Sequence, residues 1–262
     1  MSFTTDYGTA DGFVAACKGV LAGRAPDAAV LDVTHEVPPQ DVRHGSAVLA
    51  QTVPWLPPAV HLAVVDPGVG TDRRGVAVVS PRGVLVGPDN GLLVPAAEAL
   101  GGVTAAYALT DPAFHLPRVS ATFHGRDVFA PVAAALCTGV DPARLGPPVT
   151  DLVRLPERPV HTAPGLLRAP VLSVDGFGNV QLTATAEHLA GLGADLEVAG
   201  RPVVLGRTFA DAAPGGLVVL ADSAGHVAVA VNRGSAAAEL GLEPDGDVEI
   251  RSRSRGGPAA AG

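Results

Sequence analysis

Two apolar spacings take turns along the first half of the chain. Phe3-Thr4-Thr5, 28–33 and 60–65 are short runs that end near polar residues, the pattern of strands in a buried sheet. Between the first two, Phe13, Val14, Cys17, Val20 and Leu21 recur at helical spacing, placing one apolar stripe on a helix that begins near Asp11. A second helix is predicted over 42–53. Strands follow at 76–80 and 84–87, a helix at 92–100, a strand at 105–109 and a helix at 128–136. Strand, loop and helix in repetition predict an α/β domain with a mainly parallel sheet. Ligands of such sheets sit off the carboxyl ends of the strands, where Asp6 and Asp66 fall.

From Gly146 to Pro170 the chain turns proline-rich and loses its periodicity. Beyond it, short strand-like runs at 171–174, 180–183, 196–198, 203–205, 217–221, 227–231 and 248–250 predict a small β-rich domain. The expected division is an N-terminal α/β domain over 1–146, a linker over 147–170, a C-terminal β domain over 171–250 and a disordered tail over 251–262. Of the 262 residues, 47% are hydrophobic and 17% charged, enough to bury a sizeable core. The net charge of −8 argues against a nucleic-acid partner. No apolar stretch approaches the ~18 residues of a membrane span. The opening Met1–Asp6 lacks the basic and apolar regions of a secretory leader. Cys17 and Cys137 stand alone in apolar contexts and read as buried free thiols of a reducing cytoplasm.

Candidate chemistry is confined to five polar, glycine-rich patches: 5–8, 65–70, 88–91, 122–127 and 175–179. Each sets an Asp, Asn or His beside glycines, where a ligand can approach the backbone closely. Asp66 closes an apolar strand, and a tight turn then delivers Arg73 and Arg74; a guanidinium folded back onto Asp66 would favour its ionised form. That pairing also serves merely to fix a loop. His124 lies just before a helix, and Asp127 near its first turn is explained by the helix dipole alone. His35, His44, Asp66 and His124 have no recognisable metal-ligand spacing, and His35-Glu36 is not part of an HExxH motif. Neither Gly68-Val69-Gly70 nor Gly176-Phe177-Gly178 completes a phosphate-loop pattern, and there is no G-x-S-x-G elbow.

In this order the five patches resemble the SAM (S-adenosyl-L-methionine) hydroxide adenosyltransferases, adenosine-forming hydrolases related to the fluorinase and chlorinase. The similarity runs from Thr5 to about Asn232, with 65–74, 88–93, 122–131 and 174–180 matching as blocks. The resemblance implies a Rossmann-like N-terminal domain, a smaller barrel-like β domain, and a homotrimer with SAM sites between subunits. It identifies Asp66, Arg73 and His124 with the trio of the water-using branch. Halogenases carry Tyr where this chain has Asp66, and the fluorinase has Ser at the place of Gly125. By the same resemblance Asp6 grips the ribose hydroxyls, and Asp11 and Asp175 take the methionine ammonium. Asn179 reads the adenine edge, Phe177 and Phe209 pack against the purine, and Phe123 belongs to the substrate site. Ser223 holds the methionine carboxylate, although Ala224 follows it where the fluorinase has Arg. For Asp11 a helix N-cap, and for Phe177 and Phe209 plain core packing, are the alternative readings.

The implied reaction is attack of water on C5′, releasing adenosine and methionine with no metal or cofactor. His124 is expected to accept the proton while Asp66 positions the water; alternatively the trio holds a bound hydroxide. SAM-dependent halogenation and SAM binding without turnover are the rival activities.

Overall fold

Residues 1–244 and 246–253 are described by the structure, a computed structural model. The chain divides after Pro156 into two units. The first runs β1 (Ser2–Thr5), α1 (Phe13–Arg24), β2 (Leu31–Thr34), α2 (Val42–Thr52), β3 (Ala59–Val64), β4 (Gly75–Ser80), β5 (Gly83–Pro88), α3 (Val94–Ala99), β6 (Ala105–Ala108) and α4 (Ala130–Cys137). Its strands form one sheet in the order β2-β1-β3-β5-β4-β6. β2, β1, β3 and β5 are parallel and β4 is reversed.

Strand β3 shows why this sequence builds a covered sheet. Successive side chains point to opposite faces. Leu62 and Val64 join a core with Cys17 and Leu21 of α1 and Ala133 of α4. Ala63 and Val65 join another with Leu49 of α2 and Ala96 and Ala97 of α3. A strand buried on both sides reads as a continuous apolar run, as β3 does.

The apolar stripe expected on α1 is only half used. Cys17 and Leu21 are buried, but Phe13 is 47% exposed. Its ring sits edge-on to Phe123 (centroids 5.3 Å apart), so it serves a loop cluster rather than the sheet core.

In the second unit the strands are β7 (His161–Ala163), β8 (Leu166–Val174), β9 (Val180–Thr185), β10 (Asp195–Val198), β11 (Arg201–Leu205), β12 (Leu217–Ala221), β13 (His226–Val231) and β14 (Asp247–Ser252), with α5 (Ala236–Leu240) before β14. Pairing runs β8-β9-β13-β12-β11-β10-β14 and returns to β8, closing a barrel. Alternate residues fill its interior: Leu167, Ala169 and Val171 of β8, Val227, Val229 and Val231 of β13.

The stretch expected as a linker, 147–170, contains the boundary between the units, with no helix or strand over 151–160, but is structured at both ends. Ala108 N–H donates to Pro147 O (2.9 Å) and Val149 N–H to Ala106 O (2.8 Å), laying this segment along β6. Further on, β7 and the first half of β8 fall inside it. Prolines erase periodicity, yet they are tolerated beside an edge strand wherever no ladder N–H is needed. Arg251 and Ser252, expected in the disordered tail, belong to β14; 254–262 lie outside the described residues. Among the described residues no helix is long and apolar enough to cross a membrane.

Candidate active site

The chain leaves β1 through α1 to β2 on one side, then crosses through α2 to β3 on the other side. Strand order therefore reverses between β1 and β3, the switch point where open α/β sheets bind ligands. Asp6 follows β1 and Asp66 follows β3, so the adjacent parallel strands deliver both carboxylates to this crevice. Asp6, Asp66, Phe123 and His124 all line a cleft of about 170 Å³ there.

Within the cleft, three side chains form one hydrogen-bonded unit. Arg73 grips Asp66 with two N–H groups: Nε donates to Oδ1 at 2.8 Å and Nη2 donates to Oδ2. The same Nη2 lies 3.0 Å from His124 Nδ1. The pair is largely withdrawn from solvent, with side chains 6% (Asp66) and 12% (Arg73) exposed. Arg73 also lies over the Phe129 ring, 5.1 Å from its centroid. Arg74, equally near Asp66 in sequence, turns away to Asp89 (2.7 Å) and Asp151 (2.8 Å).

The contact at Nδ1 determines the histidine's protonation pattern. A guanidinium only donates, so Nδ1 must accept and the neutral ring carries its proton on Nε2. Burial and then the Arg73 charge lower the His124 pKa, with Asp66 and Asp127 opposing. The ring is thus neutral at physiological pH and presents an N–H. With Nδ1 engaged by Arg73, the ring's remaining polar group is a donor.

Local geometry explains how the loops reach these positions. Gly70 has φ +80°, and a Cβ there would collide with Ala121 O. Gly70→Ala is therefore expected to lower stability by about 1–3 kcal/mol and to reduce turnover, checked by a thermal melt and initial rates. Residues Gly125–Phe129 form a single π-helical turn ahead of α4, with His124 at its start. Such turns recur at functional sites. Asp127 is fully buried and does more than complement a helix dipole: it accepts from the Ser120 N–H (2.8 Å) and from Arg126 Nε (2.6 Å). Burial raises its carboxyl, but those two donors outweigh it and hold the pKa below the ordinary value. Asp6 Oδ2 accepts from the Gln40 N–H (2.8 Å), while burial pushes its carboxyl upward.

A separate pocket of about 700 Å³ lies in the second unit, lined by Asp175, Phe177, Asn179, Phe209 and 231–234. Phe177 is 82% and Phe209 48% exposed, which rules out core packing for either ring. Asp175 stiffens its own loop: Oδ1 accepts from the N–H groups of Phe177 and Asn179 (both 2.9 Å), and Oδ2 from the Asn179 amide (2.7 Å). Asn179 keeps its side-chain oxygen and one amide N–H for other partners.

Three predicted residues line neither pocket: Arg73, which reaches the first through its bonds to Asp66 and His124, and Asp11 and Ser223. Asp11 is exposed and does not cap α1, whose N-cap is Gly12. Ser223 is exposed in the turn between β12 and β13, where Asp222 accepts from Ala224 N–H (2.9 Å) and His226 N–H (3.0 Å). Conversely, Tyr7, Phe13, Val69, Thr122 and Gly125 line the first pocket without having been singled out as site residues. Tyr7 had a signal, since it directly follows Asp6 in the first patch; Phe13 was disguised by its place in an apolar stripe. Among the described residues no three His, Cys, Asp or Glu side chains are grouped to hold a metal ion, so His35, His44, Asp66 and His124 form no such cluster.

Known proteins resemble this chain over nearly its whole length. The chain is 62% identical to the (R)-S-adenosyl-L-methionine hydrolase of Salinispora arenicola, covering 95% of this chain and 97% of that one. The fluorinase of Actinopolyspora mzabensis is more distant, at 28% identity over 95% of this chain and 96% of its own length. An uncharacterized conserved protein from Thermotoga maritima superimposes with a TM-score of 0.89 at 34% identity, covering 96% and 99% of the two chains. Family models match both parts: the SAM hydroxide adenosyltransferase N-terminal domain over 1–146 and its C-terminal domain over 169–249. With the switch-point cleft in the first matched part and the barrel in the second, the chain belongs to the SAM hydroxide adenosyltransferase family.

Proposed function

We propose that this protein hydrolyses S-adenosyl-L-methionine to adenosine and L-methionine, by attack of water on C5′. The observation that carries this reading is the continuous Asp66–Arg73–His124 unit in the switch-point cleft. Similarity to proteins named (R)-S-adenosyl-L-methionine hydrolase supports the same substrate.

The chemistry asks little of a general acid. The C5′–S bond breaks with its electron pair going to sulfur, and methionine departs as a neutral thioether. What is needed is a water held in line with C5′ and an acceptor for one proton. Asp66 supplies the acceptor: its oxygens each retain capacity beyond the Arg73 bonds. His124 donates Nε2–H to the water oxygen, fixing its orientation. Arg73 holds both partners in place, donating to Asp66 and to His124. Because sulfonium charge is lost along the reaction, a site poor in water favours the step.

Substrate contacts follow the two pockets. Asp6 and Phe123 serve the ribose end in the first. In the second, Asn179 reads the adenine edge between the exposed rings of Phe177 and Phe209. Asp11 and Asp175 are proposed for the ammonium and Ser223 for the carboxylate. We further propose a homotrimer with its sites between subunits. The first cleft, about 170 Å³, is smaller than the ~300–1,000 Å³ of small-molecule pockets, and the bare Phe177 ring is the kind of surface a neighbouring subunit covers. Light scattering on the purified protein tests the trimer.

The deciding experiment incubates the protein with both sulfonium epimers of SAM, with and without chloride, and separates the nucleosides. Adenosine plus methionine, independent of halide, is expected. A 5′-halogenated adenosine overturns the reading in favour of a halogenase, and intact SAM in favour of a binding protein.

The acid side of the pH profile carries a second expectation. Since the His124 pKa lies below its usual 6.5, kcat/KM should hold down to about that pH and fall only below it, as the ring protonates and repels Arg73. His124→Gln should remove this limb. An unchanged acid limb in the variant would exclude His124 as its source.

A further inference from the structure

Tyr7 shares the cleft with Asp66 and His124. Its ring is fixed edge-on by Phe123 (centroids 5.8 Å, planes at 74°) and flanked by Phe13 (6.1 Å). The hydroxyl is placed against Gly125: a Cβ at residue 125 would overlap the phenolic oxygen and stand 3.1 Å from Cζ. Gly125 does not have positive φ, so its backbone would accept any residue. A side chain at 125 would have to displace the Tyr7 ring, because the atom that fills this space is the tyrosine oxygen.

That oxygen makes no hydrogen bond to protein among the described residues. The hydroxyl opens on the cleft, and phenylalanine would fill the same ring volume without the polar atom. Burial pushes the phenol pKa upward, so the group stays protonated and neutral. A neutral hydroxyl at this place can accept a hydrogen bond from a molecule in the cleft.

We propose that Tyr7 is a further catalytic residue, its hydroxyl accepting a hydrogen bond from the attacking water. This inference rests on the hydrolase reading above. A water has two hydrogens and two lone pairs. Asp66 takes one hydrogen and Tyr7 the other, His124 Nε2–H occupies one lone pair, and the second lone pair is left to face C5′. As the C5′–O bond forms and the C5′–S bond breaks, the proton toward Asp66 is transferred. Tyr7 keeps its own proton throughout. Its part is to fix the direction of the free lone pair.

The test is Tyr7→Phe, assayed for adenosine release beside the wild-type chain. Loss of one well-placed hydrogen bond to the reacting water should lower kcat about 10- to 100-fold, with KM for SAM changed less than about 3-fold. Gly125→Ala in both backgrounds checks the placement: the added methyl should lower the melting temperature clearly with Tyr7 present and much less with Phe at position 7. Wild-type release of adenosine together with an unchanged kcat in Tyr7→Phe overturns the proposal alone. A rise in KM at constant kcat also overturns it, by making Tyr7 a binding residue. An equal loss of stability from Gly125→Ala in both backgrounds overturns the contact. No adenosine from the wild-type chain overturns the hydrolase reading itself.

Discussion

Asp66→Asn should reduce turnover by at least about 100-fold while SAM affinity stays within a few-fold of wild type. Asparagine keeps the shape of the side chain but loses the charge and half of the acceptor capacity. In the wild type, Arg73 satisfies one position on each Asp66 oxygen and the remaining positions face the cleft. In the variant the amide must turn its oxygen to Arg73, which leaves an NH₂ where the water proton should go. No acceptor then remains for the proton lost as the C–O bond forms. Of the neighbouring groups, His124 Nδ1 is taken by Arg73, and Asp6 is assigned to the ribose hydroxyls. The check combines single-turnover rates with calorimetric binding and a melting curve. A weakened affinity at unchanged kcat would make Asp66 a binding residue and remove the proposed mechanism. The melting curve matters because Arg73 is nearly buried and loses its counter-charge. Stability should fall by about 1–3 kcal/mol, the cost of an uncompensated buried partner after partial relaxation, without unfolding the domain at room temperature.

The second large effect concerns stability in mild acid. His61 lies in β3 with no exposed surface, and its Nδ1 meets the Ser2 hydroxyl at 2.8 Å. Burial, reinforced by the N-terminal ammonium and Arg82, lowers its pKa to about 4. In the unfolded chain the same ring protonates near 6.5. Between these values the unfolded state binds a proton that the folded state refuses. Stability is therefore full above pH 6.5, declines as pH falls toward 4 and loses nothing further from this group below that. The ceiling is about 3 kcal/mol, from 1.36 kcal/mol for each pKa unit. His44, His115 and His124 are lowered as well and add to the same window. Urea unfolding of wild type and His61→Gln at pH 7 and pH 4.5 isolates the His61 share. The variant should lose markedly less stability than wild type between the two pH values. Parallel losses would mean that β3 opens enough to hydrate the ring.

Much of this molecule was legible in its sequence, and the reason is local. The central strands β1, β3 and β5 follow apolar spacing because they are buried on both faces, whereas the edge strand β2 is partly exposed, and the barrel strands bury alternate residues. The site patches were legible for a related reason: polar residues and glycines that interrupt apolar runs at strand ends have few other uses. What escaped was whatever lacked a period. Strand β7 is short, exposed and set among prolines. Phe13 has helical spacing but faces the aromatic cluster of the cleft. Asp11 reads as a helix cap beside a helix that begins one residue too late for it to serve.

The sequence by itself determined the alternation of strands and helices, the positions of Asp6 and Asp66 at strand ends, and the composition of the five patches. Each is set by burial over a few neighbouring residues, so each leaves a local trace. Only the tertiary structure decided which of two adjacent arginines meets Asp66, which ring nitrogen of His124 bears the proton, and why residue 125 has no side chain. Those outcomes depend on the order β2-β1-β3-β5, which brings residues 7, 66, 73, 124 and 125 into one crevice. Strand order is a property of long-range packing, and hydrogen bonds act only over about 3 Å. Which donors meet which acceptors is therefore decided when the chain closes.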